Sequence, residues 1–272
     1  MHKFTSQDLK KLYRPGKNST GEDNGQVTII GGSELFHGAP LFALTVASRI
    51  VDMVFFATPE KSVGYVAEQI KSKLFSFVWI PWAEREEYIK KSDAVLIGPG
   101  FMRFVKEKNS HLKCDEACEK TKRITKNLLK KFPDKKWVID AGSLQVMEPS
   151  WIPENAIVTP NKKEYKYLFG SMKITEAAKK YKCVIVDKSR ETLVCNGNEC
   201  VKINGGNPGM TKGGTGDILA GLTVALMAKN DPLLAASAAS FIAKSAADDL
   251  YKKVGTNYNA DDLARKIPEL LK

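Results

Sequence analysis

The sequence predicts an α/β fold whose mostly parallel sheet is covered by helices on both faces. Two observations predict it. The short apolar runs are continuous rather than alternating, as strands buried on both faces must be. Most of these runs are separated by helical stretches of about ten or more residues, the length a parallel crossover needs.

Taken in order, residues 1–24 form a polar, charged N-terminal segment, and Gln26-Val27-Thr28-Ile29-Ile30 then reads as a buried strand ending in Gly31-Gly32-Ser33. Gly38-Ala39-Pro40 opens an Ala-rich helix to about residue 51, with Pro in the first turn, where its missing N–H is harmless. Further strands are predicted over 53–57, 77–80, 94–97, 137–139, 156–158 and 184–186. Helices over 63–74, 114–132 and 161–168 lie between them. One region breaks the rhythm: Thr192-Leu193-Val194-Cys195 and Cys200-Val201-Lys202-Ile203 flank an Asn-Gly turn and predict a β-hairpin. A helix follows Gly216, a second spans 232–251 and a last one 260–271. No repeat or linker interrupts the chain, so a single domain over 1–272 is expected.

At 43% hydrophobic the chain can bury a large core, and no run approaches the roughly 18 apolar residues that span a bilayer. The first 24 residues lack the apolar stretch of a secretion signal, so a cytoplasmic protein with no membrane partner is expected. The net charge of +11 comes from lysines spread over helical faces, and no nucleic-acid recognition motif accompanies them. Five dispersed cysteines do not form a disulfide framework. Cys114 and Cys118 share a helix face but have no further ligands at metal-site spacing, so packing is the expected role. His2, His37 and His111 show no catalytic pattern.

The sharpest motif lies between Asn204 and Gly221, where seven glycines fall within 18 residues directly before an apolar helix. Glycines let backbone N–H groups converge, and the helix N-terminus adds partial positive charge, so Gly213, Gly214, Thr215 and Gly216 form a candidate anion hole. Asp217 is the candidate catalytic base for an attacking hydroxyl; its bland reading is a first-turn helix residue. The run is neither a Walker loop nor a dinucleotide fingerprint. Gly31-Gly32-Ser33 and Gly98-Pro99-Gly100 follow strands, where turns and ligand approach are both open readings. Asp140 and Glu164 can face a magnesium ion through water or serve the structure, and Lys188 can reach a phosphate.

Together these segments resemble the ribokinase-like superfamily, and within it the ADP/ATP-dependent NAD(P)H-hydrate dehydratases. The segments that carry the resemblance are Gly31-Gly32-Ser33 with Gly38-Ala39-Pro40, Ile97-Gly98-Pro99-Gly100, Ile139-Asp140-Ala141-Gly142-Ser143-Leu144, Val158-Thr159-Pro160 with Glu164, and the late glycine run. The resemblance implies a ribokinase-like three-layer sandwich. It implies phosphorylation of the ring hydroxyl of hydrated NADH or NADPH, followed by phosphate elimination, with Mg2+ and ADP or ATP as donor. Ala39, Gly100, Asn161 and Asp217 would then contact the hydrated dinucleotide. Lys188, Ser189, Arg190, Glu191, Thr192 and Gly216 would line the adenine nucleotide. It further implies a homo-oligomer, commonly a tetramer. An epimerase domain, which often precedes this one, would here be a separate protein.

The family usually has His where Asn161 stands, Gly where Ser189 follows Lys188, and His-Lys ahead of the glycine at position 25. Two other readings stay open: a small-molecule kinase of the same superfamily, which would keep its phosphoester, and a non-catalytic nucleotide-binding protein.

Overall fold

The computed structural model describes residues 1–70, 74, 76–106 and 112–271. Along the chain run β1 (His2–Lys3), β2 (Gln26–Ile30), α1 (Gly38–Ala47), β3 (Met53–Ala57), α2 (Lys61–Ile70), β4 (Val78–Trp79), α3 (Arg85–Lys91) and β5 (Ala94–Ile97). A short antiparallel pair, β6 (Val105–Lys106) and β7 (Leu112–Lys113), precedes α4 (Glu116–Lys131), β8 (Lys136–Ile139), α5 (Ala141–Val146) and β9 (Ile157–Val158). Then come α6 (Lys162–Phe169), α7 (Ile174–Tyr181), β10 (Val184–Asp187), β11 (Thr192–Cys195), β12 (Cys200–Ile203), α8 (Thr215–Lys229), α9 (Pro232–Val254) and α10 (Ala260–Lys266).

Among the described residues the main sheet has the order β1-β12-β11-β10-β9-β8-β5-β2-β3-β4, and β11 alone runs against its neighbours. Successive strand residues point to opposite faces, and the core divides accordingly. Val27, Ile29, Leu96, Val138 and Val186 pack under α1, α8 and α9, whereas Ile30, Val95, Ile97, Ile139 and Ile185 pack under the helices of the other face, α3 to α7. The fold is the predicted three-layer sandwich. α1 and α8 cross where Gly221 meets Ala43: a methyl at Gly221 would lie 2.4 Å from the Ala43 carbonyl oxygen. No helix among the described residues is long and apolar enough to cross a membrane.

Four expectations need correction. First, the cysteines are paired. Cys114, just before the Asp115 cap of α4, bonds Cys118 in its first turn, with Cα atoms 5.1 Å apart. Cys195 and Cys200 face each other across the hairpin, with Cα atoms 4.2 Å apart. Cys183 alone is free and packs in the core, where burial pushes its thiol up to about 12. Second, the polar N-terminal segment contributes β1 to the sheet edge beside β12, and Phe4 is buried. Third, the first helix stops at Ala47, short of residue 51, and α2 runs 61–70, while 71–73 of its predicted span lie outside the described residues. Fourth, the last helix becomes a 3-10 turn at Ile267–Leu270, where Pro268 lacks an N–H to continue it. His2 and His37 bond Asp8 and Ser62, and His111 lies outside the described residues.

Candidate active site

The candidate side chains collect at the C-terminal ends of the parallel strands, where open α/β sheets expose their ligand crevices. The loop after β2 touches the loop after β5: Gly32 N–H donates to the Pro99 carbonyl at 2.8 Å. Gly100, at φ +73°, leaves no room for a side chain beside Gly32 and Pro40. Ala39 is half-buried in the adjoining first turn of α1. The β5 loop in turn lies on the end of β8, since a methyl at Gly98 would overlap the Asp140 carbonyl oxygen.

Asp140 is the hub. It is 2% exposed, and its Oδ1 accepts from Lys188 Nζ at 2.9 Å and from Thr159 Oγ1 at 2.6 Å. β8, β9 and β10 are adjacent parallel strands, so the residues that directly follow them deliver these three side chains to one place. Glu164 is also buried. Its Oε1 accepts from Gln145 Nε2 at 2.9 Å and its Oε2 from Asn161 N–H at 2.8 Å. Asn161 returns the favour by accepting from the N–H groups of Lys163 and Glu164, a capping box at the start of α6. Its side-chain oxygen therefore holds the helix.

Asp217 sits in the first turn of α8. That helix begins at Gly214, with φ +91° and no side-chain cap, whereas Asp115, Asn161, Asp231 and Asn259 cap α4, α6, α9 and α10. The first-turn N–H groups of a helix have no partners within it, so an uncapped start presents them to a ligand. Burial, then the negative field of Asp140, pushes the Asp217 carboxyl up to about 7, against the pull of Lys188. Burial and Asp140 likewise raise Glu164. Burial alone would lower the Lys188 ammonium, but Asp140 and Glu164 outweigh it and its pKa is raised. Three carboxylates thus surround one ammonium, and a half-protonated Asp217 near neutrality is suited to taking a proton.

The glycine run divides between packing and site. Gly209 lies against the Tyr258 ring, Gly205 and Gly206 against Asp248 and Lys244, and Gly214 against Phe42 and Ala260. A methyl at Gly213 would meet nothing within 4 Å, and one at Gly216 would meet only Lys188 Nζ at 3.7 Å. Gly213 and Gly216 are the two that border open space and the Lys188 cluster. Thr215 turns inward, its hydroxyl donating to the carbonyls of Met210 and Lys212 at 2.7 and 2.9 Å.

In the loop after Lys188, Ser189 Oγ and Thr192 Oγ1 bond carbonyls of the loop itself, Glu191 pairs with Lys202 at 2.8 Å, and Arg190 is exposed. Gln145 and Thr159 orient the two acidic side chains, and sequence reasoning did not assign them. Two cavities lie elsewhere. One of about 430 Å³ is floored by Leu9, Ile50 and Leu226, and one of about 620 Å³ lies between α3 and α4 near Arg85 and Arg123. Neither contains a candidate residue.

A family model described as NAD(P)H-hydrate dehydratase matches residues 27–269. The bifunctional NAD(P)H-hydrate repair enzyme Nnr of Methanocaldococcus jannaschii is 37% identical over 97% of this chain, which covers 52% of that protein. The ADP-dependent (S)-NAD(P)H-hydrate dehydratase of Nitrosopumilus maritimus is 30% identical, over 99% of this chain and 96% of its own length. The chain spans about half the length of the bifunctional relatives it matches. The Bacillus subtilis ADP/ATP-dependent NAD(P)H-hydrate dehydratase, co-crystallised with ATP/Mg2+, superimposes with a TM-score of 0.80 at 21% identity, covering 99% of this chain and 97% of that one. That likeness carries the fold, a ribokinase-like sandwich.

Proposed function

The chain belongs to the NAD(P)H-hydrate dehydratase family, and on that premise we propose that it restores hydrated NADH or NADPH at the expense of an adenine nucleotide. The observation that carries the reading is Asp217 at the uncapped start of α8, its carboxyl pushed up to about 7 beside Lys188 and Asp140.

The reaction follows from those parts. The ring hydroxyl gives its proton to Asp217 as its oxygen attacks the terminal phosphoryl group, and AMP or ADP departs with the electrons of the broken P–O bond. The ring C–O bond then breaks, phosphate leaves, and loss of a proton from the neighbouring carbon restores the double bond. Positioning and charge stabilisation dominate such transfers, and the Gly213 and Gly216 backbone with the Lys188 ammonium supplies both. Ala39, Gly100 and the Asn161 region form the hydrated-dinucleotide side, and residues 188–192 the nucleotide side. The name of the Nitrosopumilus relative, matched over nearly its whole length, supports ADP as donor.

Among the described residues no group of three His, Cys, Asp or Glu stands at metal-holding geometry. Asp140 Oδ1 is engaged by Lys188 and Thr159, and the two Glu164 oxygens by Gln145 and Asn161. That arrangement fits a magnesium ion carried by nucleotide phosphates and water, with Asp140 and Glu164 facing its shell. Such an ion would neutralise charge on the transferring phosphoryl group.

The test is recovery of reduced-nicotinamide absorbance from chemically hydrated NADH or NADPH, with magnesium and with ADP or ATP in parallel. Recovery with stoichiometric phosphate supports the reading. A stable phosphoester of another alcohol, with no recovery, would replace it by a small-molecule kinase.

A further inference from the structure

One buried cation lies outside the chemistry described so far. Lys244 is the only charged residue among positions 232–247, in the Ala-rich body of α9. It is 6% exposed. Its Nζ donates to the carbonyls of Arg190 at 2.8 Å, Ile203 at 3.2 Å and Ser189 at 3.3 Å. An ammonium has three N–H donors, so three carbonyls satisfy it. Its stem passes under Gly206, where a methyl would meet Lys244 Cγ at 3.3 Å and Cε at 3.5 Å.

These carbonyls belong to two loops that meet at the site. Ser189 and Arg190 follow Lys188 directly, and Ile203 ends β12, where the glycine run begins. One helical turn along, Asp248 holds the same run: its carboxylate accepts from Gly206 N–H at 2.9 Å and from Asn207 Nδ2 at 3.0 Å. Asn207 is fixed in turn by Tyr258 OH at 2.7 Å. The face of α9 that carries Lys244 and Asp248 therefore clamps the 188–192 loop to the start of the glycine run. A buried charge is costly unless fully paired. A neutral side chain would pack among the alanines without that cost, but it could not draw three carbonyls together.

We propose that Lys244 is a positioning residue for the adenine nucleotide, setting the 188–192 loop against the glycine run so that both reach one phosphate chain. This rests on the dehydratase reading, since that reading puts the nucleotide at this loop. Lys244 does not touch the reacting atoms. The charged groups that face it are Asp248 on its own helix and Glu191 in the clamped loop, the latter paired with Lys202 on β12. Burial lowers its ammonium to about 8 against their pull. The clamp therefore weakens as it deprotonates in alkaline solution.

The experiment is Lys244→Met in the full chain, keeping the apolar stem and removing the charge. ADP binding with Mg2+ is measured by calorimetry, and KM values are measured for ADP and for the hydrated dinucleotide. The expected result is a loss of ADP affinity of about tenfold or more with the dinucleotide KM within about twofold, the signature of lost binding on one substrate. Unchanged ADP affinity, or an equal loss for both substrates, overturns the proposal. Should the variant not fold, wild-type ADP affinity between about pH 7 and 9.5 decides. It should fall through about pH 8, and a flat profile overturns the proposal. A wild-type protein that binds neither ADP nor ATP would instead sink the dehydratase reading itself.

Discussion

Lys188 Nζ lies 2.9 Å from Asp140 Oδ1, and this ion pair joins the end of β10 to the end of β8 at the centre of the site. Asp140 is almost fully buried and Lys188 is 20% exposed at its side chain, so the pair is shielded from water. Removing one partner of such a pair strands the other. Lys188→Met should cost about 3–5 kcal/mol in denaturant unfolding, because Asp140 and Glu164 both lose their cation. Adding Asp140→Asn should recover part of that loss. Singles that each cost under about 1 kcal/mol, with no coupling in the double mutant, would contradict the burial argument.

Asp217 is the group asked to take the substrate proton. Asp217→Ala should lower kcat by about 10²–10⁴-fold while leaving ADP affinity close to wild type. Single-turnover absorbance and calorimetry on the same preparations read the two quantities. A variant that keeps its turnover would remove Asp217 from the mechanism.

Much of the fold and of the candidate site is legible in the sequence. The continuous apolar runs gave away the parallel sheet, and Asn196-Gly197 marked the hairpin that reverses β11. The residues at strand ends (Gly98, Asp140, Thr159, Lys188) mark the crevice because a parallel sheet brings its carboxyl ends together. What stayed hidden depended on neighbours far along the chain. β1 has two residues and no apolar pattern, and it is a strand only because β12 offers it an edge. The glycine density also has a packing cause that the sequence does not show, since Gly205, Gly206, Gly209, Gly214 and Gly221 lie against Asp248, Lys244, Tyr258, Phe42 and Ala43. Lys244 did carry a signal, one charge in an alanine helix, but its meaning lies in three carbonyls contributed by two distant loops.

The same raised carboxyl makes a pH prediction with a definite sign. Asp217 stands at about 7 in the folded protein against an ordinary value of 3.8. Folding therefore gains from its protonation. That gain is full below about pH 4 and is lost as pH rises through about 7. Activity runs the other way, because a base must be ionised, and kcat/KM should fall as pH drops below about 7. Asp217→Asn should melt higher than wild type at pH 8, with the difference shrinking toward pH 5. A difference independent of pH would show that the carboxyl is not held up by its surroundings.

The split within the glycine run can be tested by adding one methyl at a time. Gly221→Ala drives a methyl to 2.4 Å from the Ala43 carbonyl oxygen, so it should cost about 1–3 kcal/mol of stability with substrate KM values unchanged. Gly216→Ala is the opposite case. Its methyl clears Lys188 Nζ by 3.7 Å, and the position is helical without a positive φ. Replacing a helical glycine by alanine should stabilise the fold by about 0.5–1 kcal/mol. On the proposed mechanism the methyl nevertheless enters the space where the transferring phosphoryl group meets the first-turn N–H groups, and turnover should fall about 10²-fold or more. Thermal melts and absorbance recovery on both variants decide the matter. A Gly216→Ala protein that is both more stable and fully active would move the anion hole away from the start of α8.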